Sequence, residues 1–146
     1  LRLPLIYGEN PKGNLKLITD YISNGIYVSI INNYTKKSMV LAQDIAILLN
    51  HNNLKEGIFN LTDDYDPTLN EIENAISKSL KTPIIFKIPL GLLKILMFPF
   101  KFIELLGLNF VIGNNKLKKL TTPLTFSCDK AKKDLKWKPR KVINHI

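Results

Sequence analysis

Apolar and polar positions change along the chain in short blocks whose spacing predicts strands and helices in turn. Leu1 to Tyr7 is almost wholly apolar, contains Pro4 and stops at Gly8. Such a run predicts a strand covered on both faces, as in parallel sheets, with Pro4 near the end or edge of the sheet. From Asn14 onward, Leu15, Ile18 and Ile22 recur at helical spacing, with Leu17 and Tyr21 beside them. Asn14 suits an N-cap and Asn24-Gly25 a stop. Ile26 to Ile31 reads as a strand, Asn32-Asn33 as a turn, Ser38 to Leu41 as another strand and Ala42 to Asn50 as a short helix.

Residues 57–62 (GIFNLT) predict a further strand, followed by the acidic loop Asp63-Asp64-Tyr65-Asp66-Pro67. Thr68 and Glu71 then form a capping box, and Leu69, Ile72, Ile76 and Leu80 supply one apolar stripe. Pro83 to Ile88 reads as a strand and Leu90 to Phe98 as a helix; Pro99 breaks or kinks it, and a helical pattern resumes from Phe100 to Leu106 before Gly107. Leu124 to Phe126 predicts a short strand, and Asp129 to Leu135 a last short helix ended by Trp137 and Pro139. This alternation of strands and helices gives an α/β or α+β class. No internal repeat or low-complexity linker divides the chain, so residues 1–146 read as a single unit.

Composition narrows the picture. With 146 residues, 45% hydrophobic and 23% charged, the chain can bury a core unaided, and wholesale disorder is excluded. Cys128 is the single cysteine, which excludes a disulfide framework. The formal net charge of +9 directs attention to nucleic acid or an anionic surface. That charge is unevenly placed: residues 1–115 carry a net +1 and residues 116–146 a net +8. Only Arg2 and Arg140 are arginines, whereas a dedicated nucleic-acid domain spreads arginine and aromatics over a face. The chain opens on Leu1 at full hydrophobic strength, so we expect a piece of a longer protein that starts at a strand. No signal-peptide pattern is visible in it.

Candidate chemistry is sparse. The chain has no Gly-rich phosphate fingerprint, no Tyr-x-x-x-Lys pair, no nucleophile elbow and no Cys/His metal spacing. His51 and His145 read as solvated surface residues and Cys128 as a buried, neutral thiol. The acidic cluster at 63–66 suits a hard cation, but its place before a capped helix favours a role at the helix N-terminus. The sequons at Asn33 and Asn60 are expected by chance in an Asn-rich chain. Residues 88–113 are the strongest membrane candidate; Lys94, Lys101, Glu104 and Pro99 interrupt them. Two packed helices, or an interfacial amphipathic one, fit better than a spanning helix. The loop Gly8 to Leu15 feeds a helix start whose free amides, with Lys12, favour a bound phosphate. Lys36-Lys37-Ser38 is a second possible anion contact.

Taken in order, these pieces resemble the C-terminal half of the NAD-dependent nucleotide-sugar epimerase/dehydratase family, the extended short-chain dehydrogenase/reductases. Arg2 to Gly8 (RLPLIYG) is similar to the family's Arg-x-Pro-x-Val-Tyr-Gly strand, and Lys12 to Leu15 (KGNL) to the loop opening its substrate-side helix. Asn32 to Ile45 resembles the Asn-x-x-Arg-Ser-x-Val-x-x-x-Asp-Leu segment, and Gly57 to Asp63 a late strand of the nucleotide sheet. Asp129 to Pro139 resembles the closing Lys-Ala-x-x-x-Leu-Gly-Trp-x-Pro signature. Two departures stand out: Lys37 replaces an arginine, and Lys136 replaces the glycine before the tryptophan.

The resemblance implies the C-terminal, substrate-binding part of a Rossmann-type α/β fold, with residues 1–8 and 57–62 as strands of the nucleotide-binding sheet. It implies that Asn14 and the Leu15 amide meet the diphosphate of a UDP-sugar, that Lys37 stands where the family has an arginine reaching a phosphate or ribose, with Ser38 beside it as a further substrate-binding residue, and that the backbone at Pro4 and Leu5 lies beside the nicotinamide. The intact enzyme would bind NAD or NADP on an upstream half that carries the Gly-rich loop and the Tyr/Lys pair. It would epimerise, dehydrate or reduce a nucleotide sugar for surface-polysaccharide synthesis, as a cytoplasmic homodimer without nucleic acid or membrane insertion. The present part alone would be inactive and would bind NAD negligibly. The rival expectation is a lysine-rich module in which residues 116–141 bind nucleic acid or an anionic membrane.

Overall fold

The computed structural model describes residues 1–9, 11–50, 55–84, 86–93, 95 and 121–146. Strand β1 (Leu5–Tyr7) leads into helix α1 (Gly13–Ser23), followed by β2 (Val28–Ile30), β3 (Met39–Leu41) and α2 (Ala42–Leu49). Helix α3 (Leu69–Leu80), β4 (Phe86–Ile88) and α4 (Asp129–Leu135) come next, and a 3-10 turn at Val142–Asn144 closes the order. The strands form two parallel pairs, β1 with β3 and β2 with β4. The class is α/β, one of the two that the alternation allows.

Met39–Leu41 is the pivot. All three residues of β3 are buried, and their side chains alternate between faces as a strand requires. Met39 and Leu41 join Leu15, Ile18, Ile22, Leu69, Ile72, Ile76 and Val142 in a first core cluster beneath α1 and α3. Val40 joins Ile45, Leu48, Phe59, Leu61, Cys128, Ala131 and Trp137 in a second cluster beneath α2 and α4.

The predicted capping box is present in full. The Thr68 hydroxyl accepts from the Glu71 amide, and the Glu71 carboxylate accepts from the Thr68 amide. The stripe of α3 contains an unpredicted member: Glu73 is buried with Leu69, Ile72 and Ile76. It accepts hydrogen bonds from the Tyr27 hydroxyl at 2.6 Å and the Ser29 hydroxyl at 2.5 Å. Asn70, one turn earlier, donates to the Ile30 carbonyl at 3.2 Å. These ties fasten the β2–β4 pair to α3. Burial raises the Glu73 carboxyl above its ordinary range, partly offset by the two hydroxyl donors. Burial and the neighbouring carboxylate push Tyr27 far above the ordinary tyrosine range.

Several expectations need correction. Asn14 is not the N-cap: α1 begins at Gly13, Lys12 holds the cap position, and no side chain caps the helix. Gly13 lies at φ +64°, a conformation open to glycine, so the chain turns into the helix one residue early. The strand predicted over 1–7 shortens to Leu5–Tyr7, and Leu1, Leu3 and Ile6 keep 40–52% of their surface exposed rather than being covered. The segment 57–62 contributes a single parallel bridge between Asn60 and Arg2, not a ladder. Arg2 donates to the Phe59 carbonyl and accepts from Leu61; the next donor along the strand is Pro4, which has no N–H. Leu124–Phe126 likewise reduces to a bridge between Leu124 and Lys37. Residues 90–93 and 95 are helical. The other residues of the helix predicted to Phe98, the break at Pro99, the pattern over 100–106 and His51 lie outside the described residues. Among the described residues no helix is long and apolar enough to cross a membrane.

Candidate functional site

A cavity of about 400 Å³ lies between β1, α1, α3 and the segment 122–124. Its wall consists of Leu5, Leu15, Ile18, Leu69, Ile72, Pro123 and Leu124, with Asn14, Lys37 and Thr122 as its polar members. The two helices present it through the stripes that build the first core cluster: Leu15 and Ile18 from α1, Leu69 and Ile72 from α3. Four of the six residues singled out above, Leu5, Asn14, Leu15 and Lys37, therefore border one space. Pro4 and Ser38 do not border it.

Lys37 is buried, and its Nζ donates to the Thr122 carbonyl at 2.5 Å. Burial lowers its pKa from the ordinary lysine value. Its backbone is held from both sides. The Lys37 amide donates to the Pro67 carbonyl at 2.9 Å, while Leu124 donates to Lys36 and Ser38 donates to Leu124. At the opposite wall, Asn14 sits exposed in the first turn of α1, beside the buried Leu15. Because no side chain caps this helix, its first amides keep their hydrogen-bonding capacity for an anion, and the helix dipole favours one there.

Periodicity marks the two helical walls, but nothing in the sequence signals Thr122 and Pro123, and the strand expected from Leu124 carries no sign that it borders a cavity. They enter through backbone pairing with 36–38. A second cavity, of about 320 Å³, opens where β1 and β3 end; Gly8, Glu9, Gln43 and His145 are among its lining, and none of the six residues borders it.

The acidic loop disperses its carboxylates. Asp63 accepts from the Tyr65 and Val142 amides, Asp64 pairs with Lys132, and Asp66 accepts from Ser38. Among the described residues no group of three His, Cys, Asp or Glu side chains could hold a metal ion. Cys128 is buried, with its Sγ 3.7 Å from Asp64 Oδ1. The basic end is partly engaged by its own protein. Arg140 pairs with the buried Asp44 at 2.6 Å, Lys130 lies over the Phe59 ring at 4.8 Å and Lys141 over the Tyr65 ring at 5.1 Å.

No protein-family model matches the chain, and no curated protein matches it in sequence. Solved structures do match. The Bordetella bronchiseptica enzyme WbmG, in complex with NAD and UDP, aligns over 96% of this chain and 38% of its own, at 13% identity and a TM-score of 0.59. UDP-N-acetylglucosamine 4-epimerase from Bacillus cereus aligns over 96% of this chain and 40% of its own, at 14% identity and a TM-score of 0.61. UDP-glucose 4-epimerase from Thermotoga maritima, solved with UDP-glucose, aligns over the same shares at 14% identity and a TM-score of 0.57. The chain thus has the fold of a part of these Rossmann-type enzymes and spans about two fifths of their length.

Proposed function

We propose that this chain is the substrate-side part of an NAD(P)-dependent nucleotide-sugar epimerase, dehydratase or ketoreductase, and that its cavity holds a UDP-sugar. The observation that carries the reading is the convergence of Asn14, Leu15 and Lys37 on one apolar-walled space. A diphosphate needs cationic and N–H donors on its oxygens, and a pyranose or uracil ring needs apolar surface against its faces. In this site the Lys37 ammonium pairs with a phosphate, strengthened by partial exclusion of water. The Leu15 amide and the Asn14 carboxamide donate to the same diphosphate. Leu69, Ile72 and Leu124 restrict the rings, so the sugar is oriented before reaction.

Leu5 lines the cavity and offers an apolar wall against which a nicotinamide ring fits. A bound NAD(P) would supply hydride transfer. The chain's own residues hold and orient; the acid–base pair and the Gly-rich loop belong to a further part of the enzyme. Accordingly the 146-residue chain alone is inactive and binds NAD negligibly.

The rival reading assigns residues 116–141 to nucleic acid or an anionic membrane. It is weakened by the engagement of Lys130, Lys132, Arg140 and Lys141 within the fold. A thermal-shift comparison separates the two. UDP at a hundredfold excess over its Kd raises the unfolding free energy by about 2.7 kcal/mol, and heparin does nothing. Stabilisation by heparin alone, fading steeply with salt, would replace the nucleotide-sugar reading with the basic module.

A further inference from the structure

Resemblance placed Ser38 among the groups that touch substrate, but the structure gives it other neighbours. Ser38 is 0% exposed, does not border the cavity, and has every polar group occupied. Its hydroxyl donates to Asp66 Oδ1 at 2.5 Å and accepts from the Phe126 amide at 2.9 Å. Its amide donates to the Leu124 carbonyl at 2.7 Å, and its carbonyl accepts from the Leu5 amide at 3.3 Å. Those partners belong to three different parts of the cavity's surroundings. Leu5 is the β1 wall; Leu124 and Phe126 belong to the strap at 122–127; Asp66 sits in the loop that delivers Leu69 and Ile72 on α3.

We propose that Ser38 and Asp66 form a buried positioning pair that holds the 122–127 strap against Lys37, and thereby sets where the ammonium stands in the cavity. The reasoning is geometric. The strap is largely exposed and meets 36–38 through one bridge. Two backbone hydrogen bonds, the Thr122–Lys37 contact and the Asn60 side chain on the Ser127 carbonyl do not orient it fully without the Phe126 amide on Ser38. Asp66 fixes the Ser38 hydroxyl so that its proton points away from Phe126 and its lone pair toward it. A carboxylate is the acceptor that enforces this orientation, since it cannot donate. The substrate role of Lys37 rests on the reading proposed above; the positioning of Lys37 by Ser38 does not need it.

The test uses Ser38→Ala, Asp66→Ala and the double variant, with Leu48→Ala, a core truncation away from the cavity, as a control for lost stability. Two quantities are read: the NMR pH titration of the Lys37 side chain without ligand, and the Kd for UDP by calorimetry. In Ser38→Ala the Lys37 titration moves up toward the ordinary lysine range, because water reaches the ammonium, and the UDP Kd rises at least tenfold. Asp66→Ala shows the same two changes, the double variant is no worse than either single one, and Leu48→Ala shows neither. Asp66 is only half-buried, so its variant serves if Ser38→Ala does not fold. An unmoved Lys37 titration in folded Ser38→Ala or Asp66→Ala overturns the proposal. A moved titration with no UDP binding even to the wild type supports the positioning pair and removes the nucleotide-sugar reading instead.

Discussion

The two core clusters share β3 yet are closed in different ways. The first packs α1 against α3 over Met39 and Leu41, from residues that announce themselves by helical period. The cavity opens along its edge, through Leu15, Ile18, Leu69 and Ile72. The second is sealed by the basic end of the chain: Cys128, Ala131 and Trp137 pack beneath Val40, Phe59 and Leu61. Trp137 donates from Nε1 to the Thr62 carbonyl at 2.7 Å, and Arg140 pairs with Asp44. Residues 128–140 of the basic end thus act as a structural clasp, while the candidate site is built mainly from the near-neutral part of the chain, to which the basic end adds only Thr122 to Leu124. Lysines on an exposed helix face do not identify a partner when the apolar residues between them close a core.

The largest effect that could break this comparison is at Trp137. Replacing it with Ala removes a buried indole and orphans the Thr62 carbonyl; we expect a loss of about 3–5 kcal/mol in urea unfolding. A loss below about 1 kcal/mol would make the basic end an accessory strand of chain, not a clasp. On the cavity side, Tyr27→Phe removes a donor to the buried Glu73 carboxylate and costs about 2 kcal/mol.

Acidity sharpens the same contrast. The folded state binds the Glu73 proton more tightly than the unfolded state does, so this group favours folding at low pH. Its contribution is lost as pH rises through the raised folded value. Asp64 and Glu71 shift the opposite way, so the informative quantity is the difference between wild type and Glu73→Gln. That difference grows in favour of Gln from pH 4 to pH 7; a flat difference would show that Glu73 titrates as it does unfolded.

The smallest expected effect lies at the clasp. Lys136 closes α4 in the left-handed region, φ +54°, where a Cβ is strained and glycine is not. This is the position at which the related signature carries glycine. Lys136→Gly stabilises by roughly 1 kcal/mol, read as a raised unfolding midpoint.

How much of this was legible depends on the range of the interaction. The capping box at Thr68 and Glu71, the stripes of α1 and α3 and the stop at Asn24-Gly25 are local, and the chain displays each of them within a few residues. The parallel pairings of three-residue strands are not local, and Pro4 shows why strand length was overestimated: apolar character persists where ladder hydrogen bonding cannot. Glu73 was overlooked because it occupies an apolar register position, and Tyr27 and Ser29, more than forty residues away, supply the short hydrogen bonds that make its burial tolerable. At the site, Asn14, Leu15 and Lys37 were legible through their resemblance to motifs. Thr122 and Pro123 were not, since no period or cap marks them, and Leu124 was legible only as the start of a strand, because it reaches the cavity by backbone pairing. Ser38 was legible as a residue of interest but not for its partners, Asp66 and Phe126.

Whether the cavity beside α1 holds a nucleotide sugar, as we propose, is read most directly from amide NMR shifts on titration with UDP. Saturable changes concentrated at Leu15, Lys37 and Leu124 are expected, abolished or shifted to at least tenfold higher UDP concentration by Lys37→Met. Changes confined to residues 130–141, or unaltered by that substitution, would contradict it.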